Sequence, residues 1–358
     1  MAPIQVAVLD DYMATAEPYF KKLDPDIFDV TIFQDTILPY GHPKTTQDEK
    51  DRLVRRLEPF QIISTMRERT PFPAALIERL PNLQLLLTTG TRNLSLDLEA
   101  FRKQAIPVGG TIAAARPAGG PDSTVQHFIA VLLAAARNVA ADDLSVKTGG
   151  WQTGPAVFGL SGKVYATVGL GRLGAGTAKI LHQSFGMRVL AWSPNLTQAK
   201  ADEAAVQAGL PAEAADGSKT FLAVSRECLF RTADVLAVHV VLSDRSRGLI
   251  AAKDLALLKQ DSIFVNTSRG PIVVEEDLLD TLRRGSINRA ALDVFDIEPL
   301  PADSPWRTTA WGKDGRSRVT LTPHTGYGER VALEKWYELQ VENIVRWHKG
   351  EQLESRLV

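Results

Sequence analysis

Short apolar runs, each stopped by turn-forming or charged residues, alternate along the chain with stretches of helical period, and no other feature constrains the fold as much. The first run, residues 4–9, ends at Asp10-Asp11. Others occupy 60–63, 83–88, 164–168, 187–191, 235–240, 262–266 and 318–321. Compact, mainly apolar runs of this length fit strands buried on both faces of a parallel sheet. Helical patterns at 72–80, 173–184, 252–259 and 275–284 fall between them. The alternation predicts an α/β protein with helices on both faces of parallel sheets, and 358 residues accommodate two sheets better than one. Arg116-Pro117-Ala118-Gly119-Gly120-Pro121 interrupts regular structure and marks a boundary near 115–121. Asp122 or Ser123 then caps a long apolar helix expected to run to about Ala140. Residues 149–162 read as an exposed arm, and 307–318 as a second irregular stretch.

Val168-Gly169-Leu170-Gly171-Arg172-Leu173-Gly174 follows the strand expected at 163–168 and opens an apolar helix. In that setting the glycine spacing describes a dinucleotide turn. Gly169 permits the tight bend, Gly171 lets backbone approach a pyrophosphate, and Gly174 allows close helix–strand packing. The N–H groups of the first helical turn, at Arg172 and Leu173, face the phosphates. An NAD site ordinarily ends the next strand on an acid that binds the ribose 2′-hydroxyl, but this chain has Ser193, followed by Pro194 and Asn195. Ser193, Asn195 and Thr197 can donate to a 2′-phosphate, and Lys200 is the nearest cation. Arg188, at the start of that strand, lies roughly 16 Å away at about 3.3 Å per residue. The reading favours NADP(H) over NAD(H), with the missing positive clamp leaving NAD(H) open.

Downstream come Arg269, Glu298 and His324, each in a short motif. Reduction of a 2-oxo acid places negative charge on the carbonyl oxygen, which must be neutralised as it forms. An imidazolium, His324, suits proton donation near neutral pH; a carboxylate, Glu298, favours the charged ring; a planar guanidinium, Arg269, forks onto a substrate carboxylate. Each also has a plainer reading, as a structural ion-pair partner, a loop acid or a turn histidine.

Val265-Asn266-Thr267-Ser268-Arg269-Gly270, the run from Ala291-Leu292-Asp293-Val294-Phe295 to Glu298-Pro299, and Thr322-Pro323-His324 resemble the arginine, glutamate and histidine motifs of the D-specific 2-hydroxyacid dehydrogenases. That family includes glyoxylate/hydroxypyruvate reductases and D-phosphoglycerate dehydrogenase. The resemblance is dense over 160–328 and looser back to about Phe60. It implies two Rossmann-like domains: a discontinuous substrate domain at 1–116 and 327–358, and an inserted dinucleotide-binding domain at 117–326. It further implies a homodimer formed through the long helix and arm at 122–160. Met66-Arg67-Glu68-Arg69-Thr70 matches a loop whose backbone N–H groups meet the substrate carboxylate, which makes Arg67 and Glu68 substrate-site candidates. Gly90-Thr91 matches a turn facing the nicotinamide. The resemblance places Thr267 and Asp293 beside the cofactor, although a structural acid at a strand end is an equal reading of Asp293. His239 either approaches the cofactor or packs. His127 reads as a core or interface histidine, and Trp306, Trp311 and Tyr327 either line a pocket or pack. Two departures stand out: Gln126 replaces a common Glu, and the Glu298–His324 segment is longer than usual.

Composition narrows the alternatives. A net charge of −1 from 41 basic and 42 acidic residues offers no nucleic-acid footprint. One cysteine, Cys228, excludes an intrachain disulfide framework and reads as a helical packing residue. No Cys/His cluster has metal-ligand spacing, so no metal is expected. The first ten residues lack a leader pattern and no apolar stretch is long enough for a bilayer, so a soluble cytoplasmic enzyme acting on a small 2-oxo or 2-hydroxy acid is expected. Two other classes stay open: phosphite- or formate-type dehydrogenases, of which the formate branch usually carries Gln where this chain has Glu298, and dinucleotide-sensing corepressor scaffolds, which keep the triplet.

Overall fold

The computed structural model describes residues 2–112, 120–154 and 157–358. Most of the break expected at 115–121, including the boundary at 116/117, lies outside the described residues, as does part of the arm at 155–156. The chain divides into two compact units, one of residues 1–118, 297–299 and 328–358, the other of 119–296 and 300–327.

The first unit carries a parallel sheet of five strands, β1 Ile4–Val8, β2 Phe28–Ile32, β3 Ile62–Thr65, β4 Leu85–Thr88 and β5 Val108–Gly109, in the order β2-β1-β3-β4-β5. Its apolar core gathers Ala7, Leu57, Ile63, Phe72, Leu86 and Phe101. The helix Arg330–His348 belongs to this unit, with Leu333, Trp336, Tyr337 and Ile344 buried. Its polar contacts are specific as well. Ser64 Oγ donates to Gln340 Oε1 at 2.5 Å, Gln340 Nε2 to the Thr65 carbonyl at 3.4 Å, and Tyr337 Oη to Asp11 at 3.2 Å.

The second unit holds a parallel sheet of seven: β6 Val164–Val168, β7 Arg188–Trp192, β8 Phe221–Ala223, β9 Val235–Val238, β10 Ile263–Asn266, β11 Arg289–Leu292 and β12 Arg318–Leu321. The order is β12-β11-β10-β9-β6-β7-β8. Alternation along the strands separates two cores, because successive side chains point to opposite faces. Tyr165, Val235, Ala237, Ile263, Val265 and Ala291 face one side with the helices Ser123–Ala136, Arg172–Phe185 and Gln198–Gln207. Ala166, Leu236, Val238, Phe264, Ala290 and Leu292 face the other with Arg226–Thr232 and Glu275–Arg283. Cys228 sits half-buried on the helix Arg226–Thr232.

The long helix does not reach Ala140. It ends at Ala136, Asn138 takes a left-handed conformation (φ 60°), and a second helix runs Val139–Lys147. Asn tolerates that conformation when its amide is bonded locally. Here Nδ2 donates to Thr153 Oγ1 at 2.5 Å and to Asp142 at 3.0 Å, while Oδ1 accepts from Arg318 at 2.7 Å. The helix end is also met by the fully buried Arg289, whose Nη1 donates to the Ala135 carbonyl at 2.5 Å. Among the described residues, no helix is long and apolar enough to cross a membrane.

Candidate active site

In the second unit the candidate residues follow the strand ends. The glycine turn leaves β6, His239 follows β9, Thr267 and Arg269 follow β10, Asp293 follows β11, and His324 follows β12. Those five strands are consecutive in the sheet, so one C-terminal edge carries them all. In parallel α/β sheets that edge is where ligands bind.

At the turn, Gly169 has φ 100°, and a Cβ there would lie 2.8 Å from the His239 carbonyl oxygen. A Cβ on Gly174 would lie 2.4 Å from the Gly169 carbonyl oxygen. Both positions therefore require glycine. Gly171 differs: it heads the helix Arg172–Phe185 without a side-chain cap, and a Cβ there would point into open space. An uncapped helix N-terminus with room in front of its N–H groups fits the pyrophosphate of a dinucleotide. The Arg172 side chain turns to Asp122, Nη1 to Oδ2 at 2.6 Å, so that residue's fit to a phosphate rests on its backbone. Past β7, Ser193 and Asn195 lie on the loop before the helix Gln198–Gln207, and Lys200 Nζ donates to the Asn195 carbonyl at 3.0 Å. Lys200 thus stands at the loop that the sequence reading assigned to the ribose.

His239 packs beneath the turn. Its Nε2 is 3.0 Å from the hydroxyl of the fully buried Tyr165, and its ring centroid is 4.9 Å from that of Phe128. Burial pushes its pKa down to about 4, so the ring is neutral at physiological pH. Tyr165, pushed up by the same burial, stays a neutral phenol.

Arg269 precedes a single 3-10 turn, Gly270–Ile272, and its Nη1 donates to the Ser268 carbonyl at 2.7 Å. The loop is braced by Asn266, which donates to the Arg269 carbonyl at 3.1 Å and accepts from the Ser268 N–H at 3.0 Å. Thr267 is buried with its hydroxyl unpartnered among the described residues. Asp293 is almost fully buried and spans the histidine loop: Oδ1 accepts from Thr322 Oγ1 at 2.6 Å and the Thr325 N–H at 3.0 Å, Oδ2 from the Gly326 N–H at 3.0 Å. Burial works to raise its pKa, but hydrogen bonds from His127 and Thr322 outweigh that and hold the carboxyl below its usual range. The observed partners of Asp293 are therefore structural. His324 itself has φ 53° and meets Tyr327 edge-on, with centroids 5.9 Å apart.

Trp306 is buried between Phe295 and Trp311, and its Nε1 donates to Glu275 at 3.0 Å. Trp311 donates to the Trp306 carbonyl at 3.1 Å. The packing reading holds for this pair. The irregular stretch at 307–318 begins in the short helix Pro305–Thr308 and turns through Gly312, Asp314 and Gly315, all at positive φ, before β12.

In the first unit, the loops after β3 and β4 hold the other candidates. The Arg67 N–H donates to Thr89 Oγ1 at 2.8 Å and the Arg69 N–H to the Met66 carbonyl at 3.1 Å. These two N–H groups are engaged inside the unit, in a turn where Arg67 takes φ 53°. Arg67 and Glu68 pair at 3.7 Å. Gly90 has φ 85° and its N–H donates to Thr111 Oγ1 at 2.8 Å, with the exposed Thr91 following. Glu298 belongs to this unit and accepts from Arg69 Nη1 at 3.1 Å. Arg69, quoted within its motif but assigned no role from sequence, is the residue that reasoning missed. Its spacing from Glu298 carried no signal.

Comparison with known proteins shows the family and the fold. The family model for the D-isomer specific 2-hydroxyacid dehydrogenase, NAD binding domain, matches residues 129–326. A hydroxypyruvate reductase of Blautia hydrogenotrophica is 27% identical over 316 residues, covering 86% of this chain and 88% of its own. A glyoxylate reductase of Thermococcus litoralis is 31% identical over 284 residues, 77% of each chain. Among solved structures, a phosphoglycerate oxidoreductase from Vibrio cholerae O395 superposes with a TM-score of 0.79 at 28% identity, covering 97% of this chain and 99% of that one.

Proposed function

We propose, because the chain belongs to the D-isomer-specific 2-hydroxyacid dehydrogenase family, that it reduces a 2-oxo acid to the D-2-hydroxy acid, reversibly, with NADP(H) preferred over NAD(H). The observation that carries the reading is the shared sheet edge, where the glycine cradle, Arg269 and His324 leave strands of one contiguous set. The reduced nicotinamide supplies the hydride to the keto carbon. Arg269 binds the substrate carboxylate through its planar fork, which fixes the keto group for attack. His324 releases its proton to the carbonyl oxygen as that oxygen gains charge, and in oxidation takes the hydroxyl proton back. Glu298 favours the imidazolium and orients its ring. Arg67, Glu68, Gly90 and Thr91 complete the substrate side. Ser193, Asn195 and Lys200 read the ribose, where no acid stands to repel a 2′-phosphate.

The same reading makes the protein a homodimer, supported by the exposed apolar side chains Val139, Leu144, Val146 and Trp151 along the arm.

Initial rates of NADPH and NADH oxidation against glyoxylate, hydroxypyruvate, phenylpyruvate and 2-oxoisocaproate test the proposal. Turnover in the wild type and its loss in His324→Ala, with dinucleotide affinity retained, is the expected result. Tight nucleotide binding without turnover on any oxo acid would overturn it.

A further inference from the structure

We infer that His127 is a positioning residue for the loop carrying His324, an inference that rests on the reductase reading above. His324 has φ 53°, a backbone region that side-chain-bearing residues rarely adopt, so surrounding bonds must hold it there. One carboxylate supplies three of them. Asp293 takes the N–H groups of the next two residues, Thr325 and Gly326, and the hydroxyl of Thr322 two residues before. The turn is thus pinned on both sides of Pro323-His324.

His127 completes that clamp from outside the loop. Its Nε2 lies 3.1 Å from Asp293 Oδ1 and 3.1 Å from Thr322 Oγ1. The single Thr322 hydroxyl proton goes to Asp293, so that oxygen is left to accept, and His127 must present an Nε2–H to both. A buried carboxylate needs its donors, and His127 is the only one of these four that comes from another element. The contact leaves no slack: a Cβ on Gly326 would lie 3.1 Å from both Asp293 Oδ2 and His127 Cδ2. The next residue on the helix Ser123–Ala136, Phe128, packs against His239 beneath the glycine turn. One helix therefore references both the proton donor's loop and the dinucleotide turn.

The test compares His127→Ala, His127→Gln and Thr322→Val in the full chain. His127→Ala is expected to lower kcat for 2-oxo acid reduction by about 30- to 100-fold, while the dinucleotide Kd moves less than about threefold. Amide exchange at Thr325 and Gly326 should quicken at least about tenfold. His127→Gln, whose side-chain amide can donate at the same place, should recover most of kcat. A folded His127→Ala protein with wild-type kcat and wild-type exchange overturns the inference. Should that variant not fold, Thr322→Val carries the test, and wild-type kcat there overturns it equally. A wild type inactive on every oxo acid defeats the reductase reading alone, since the exchange comparison still decides whether His127 holds the loop.

Discussion

Arg69 Nη1 donates to Glu298 Oε2 at 3.1 Å, with the two side chains only 10% and 21% exposed. On the proposed mechanism Glu298 favours the charged form of His324, so the guanidinium works against it by neutralising part of the carboxylate's field. Replacing Arg69 with Met, which removes that charge and that hydrogen bond, should change kcat/KM for 2-oxo acid reduction by about threefold or more. An unchanged kcat/KM would remove Arg69 from the electrostatics of the site.

Beside Arg69 lies Asp10, fully buried, accepting from Thr36 at 2.7 Å and Thr70 at 2.8 Å. Burial pushes its pKa up to about 6 from 3.8, with those hydroxyls and Arg69 pulling the other way. A carboxyl whose folded pKa is raised stabilises most below its unfolded pKa and loses that contribution as pH rises through the folded value. Between pH 4 and pH 6, therefore, Asp10 should cost the fold up to about 3 kcal/mol. The urea midpoint measured across that window should fall with pH in the wild type, after allowance for other groups, and fall less in Asp10→Asn. Identical slopes would refute the shift.

Gly270 is a packing requirement of the arginine loop. A Cβ there would sit 2.0 Å from the Phe295 carbonyl carbon and oxygen, so backbone on both sides would have to move. Gly270→Ala should destabilise by about 1–3 kcal/mol and lower kcat/KM at least about tenfold, because the displaced strands lead to Arg269 and Asp293. Thermal unfolding and initial rates together check this; an unchanged melting temperature would mean the approach is looser than described.

Cofactor choice hangs on the end of β7. Ser193→Asp introduces the carboxylate that binds a ribose 2′-hydroxyl and repels a 2′-phosphate. The ratio of kcat/KM for NADPH to that for NADH should drop by about tenfold or more. If the ratio holds, Ser193 does not read the ribose.

The strands that the sequence revealed and those it hid differ in a physical way. Runs such as 164–168 and 262–266 are legible because both faces are buried and most of their residues are apolar. β2, β5 and β8 escaped, and all three are sheet edges: Phe28–Ile32 alternates with partial exposure, Val108–Gly109 is two residues, and Phe221–Ala223 is three. β11 escaped for another reason, since it opens on a charged residue, Arg289, whose burial depends on the carbonyl of Ala135. The same dependence on distant partners hid the break at Asn138, where neither Gly nor Pro interrupts the apolar helix.

At the site, motifs carry residue identity but not the bonds between elements. Thr322 and Asp293 are 29 residues apart, and His127 is 195 from Thr322, so their shared hydrogen bonds have no local signature. Conversely, the glycines at 169 and 174 were legible because their spacing directly after a strand is a local pattern, and at Gly174 the exclusion itself is local to the turn.

The interrupted first unit has a consequence for how the chain is made. Its five-stranded sheet is complete by residue 109, yet Gln340, Tyr337 and the other buried residues of its closing helix lie beyond the whole of the second unit. At ribosomal rates of roughly 5–20 residues per second, the 211 residues from 119 to 329 take roughly 10–40 seconds to emerge. For that interval Ser64 and Thr65 lack their glutamine partner. The nascent chain is most open to misassociation and to chaperone capture there, before its last helix arrives.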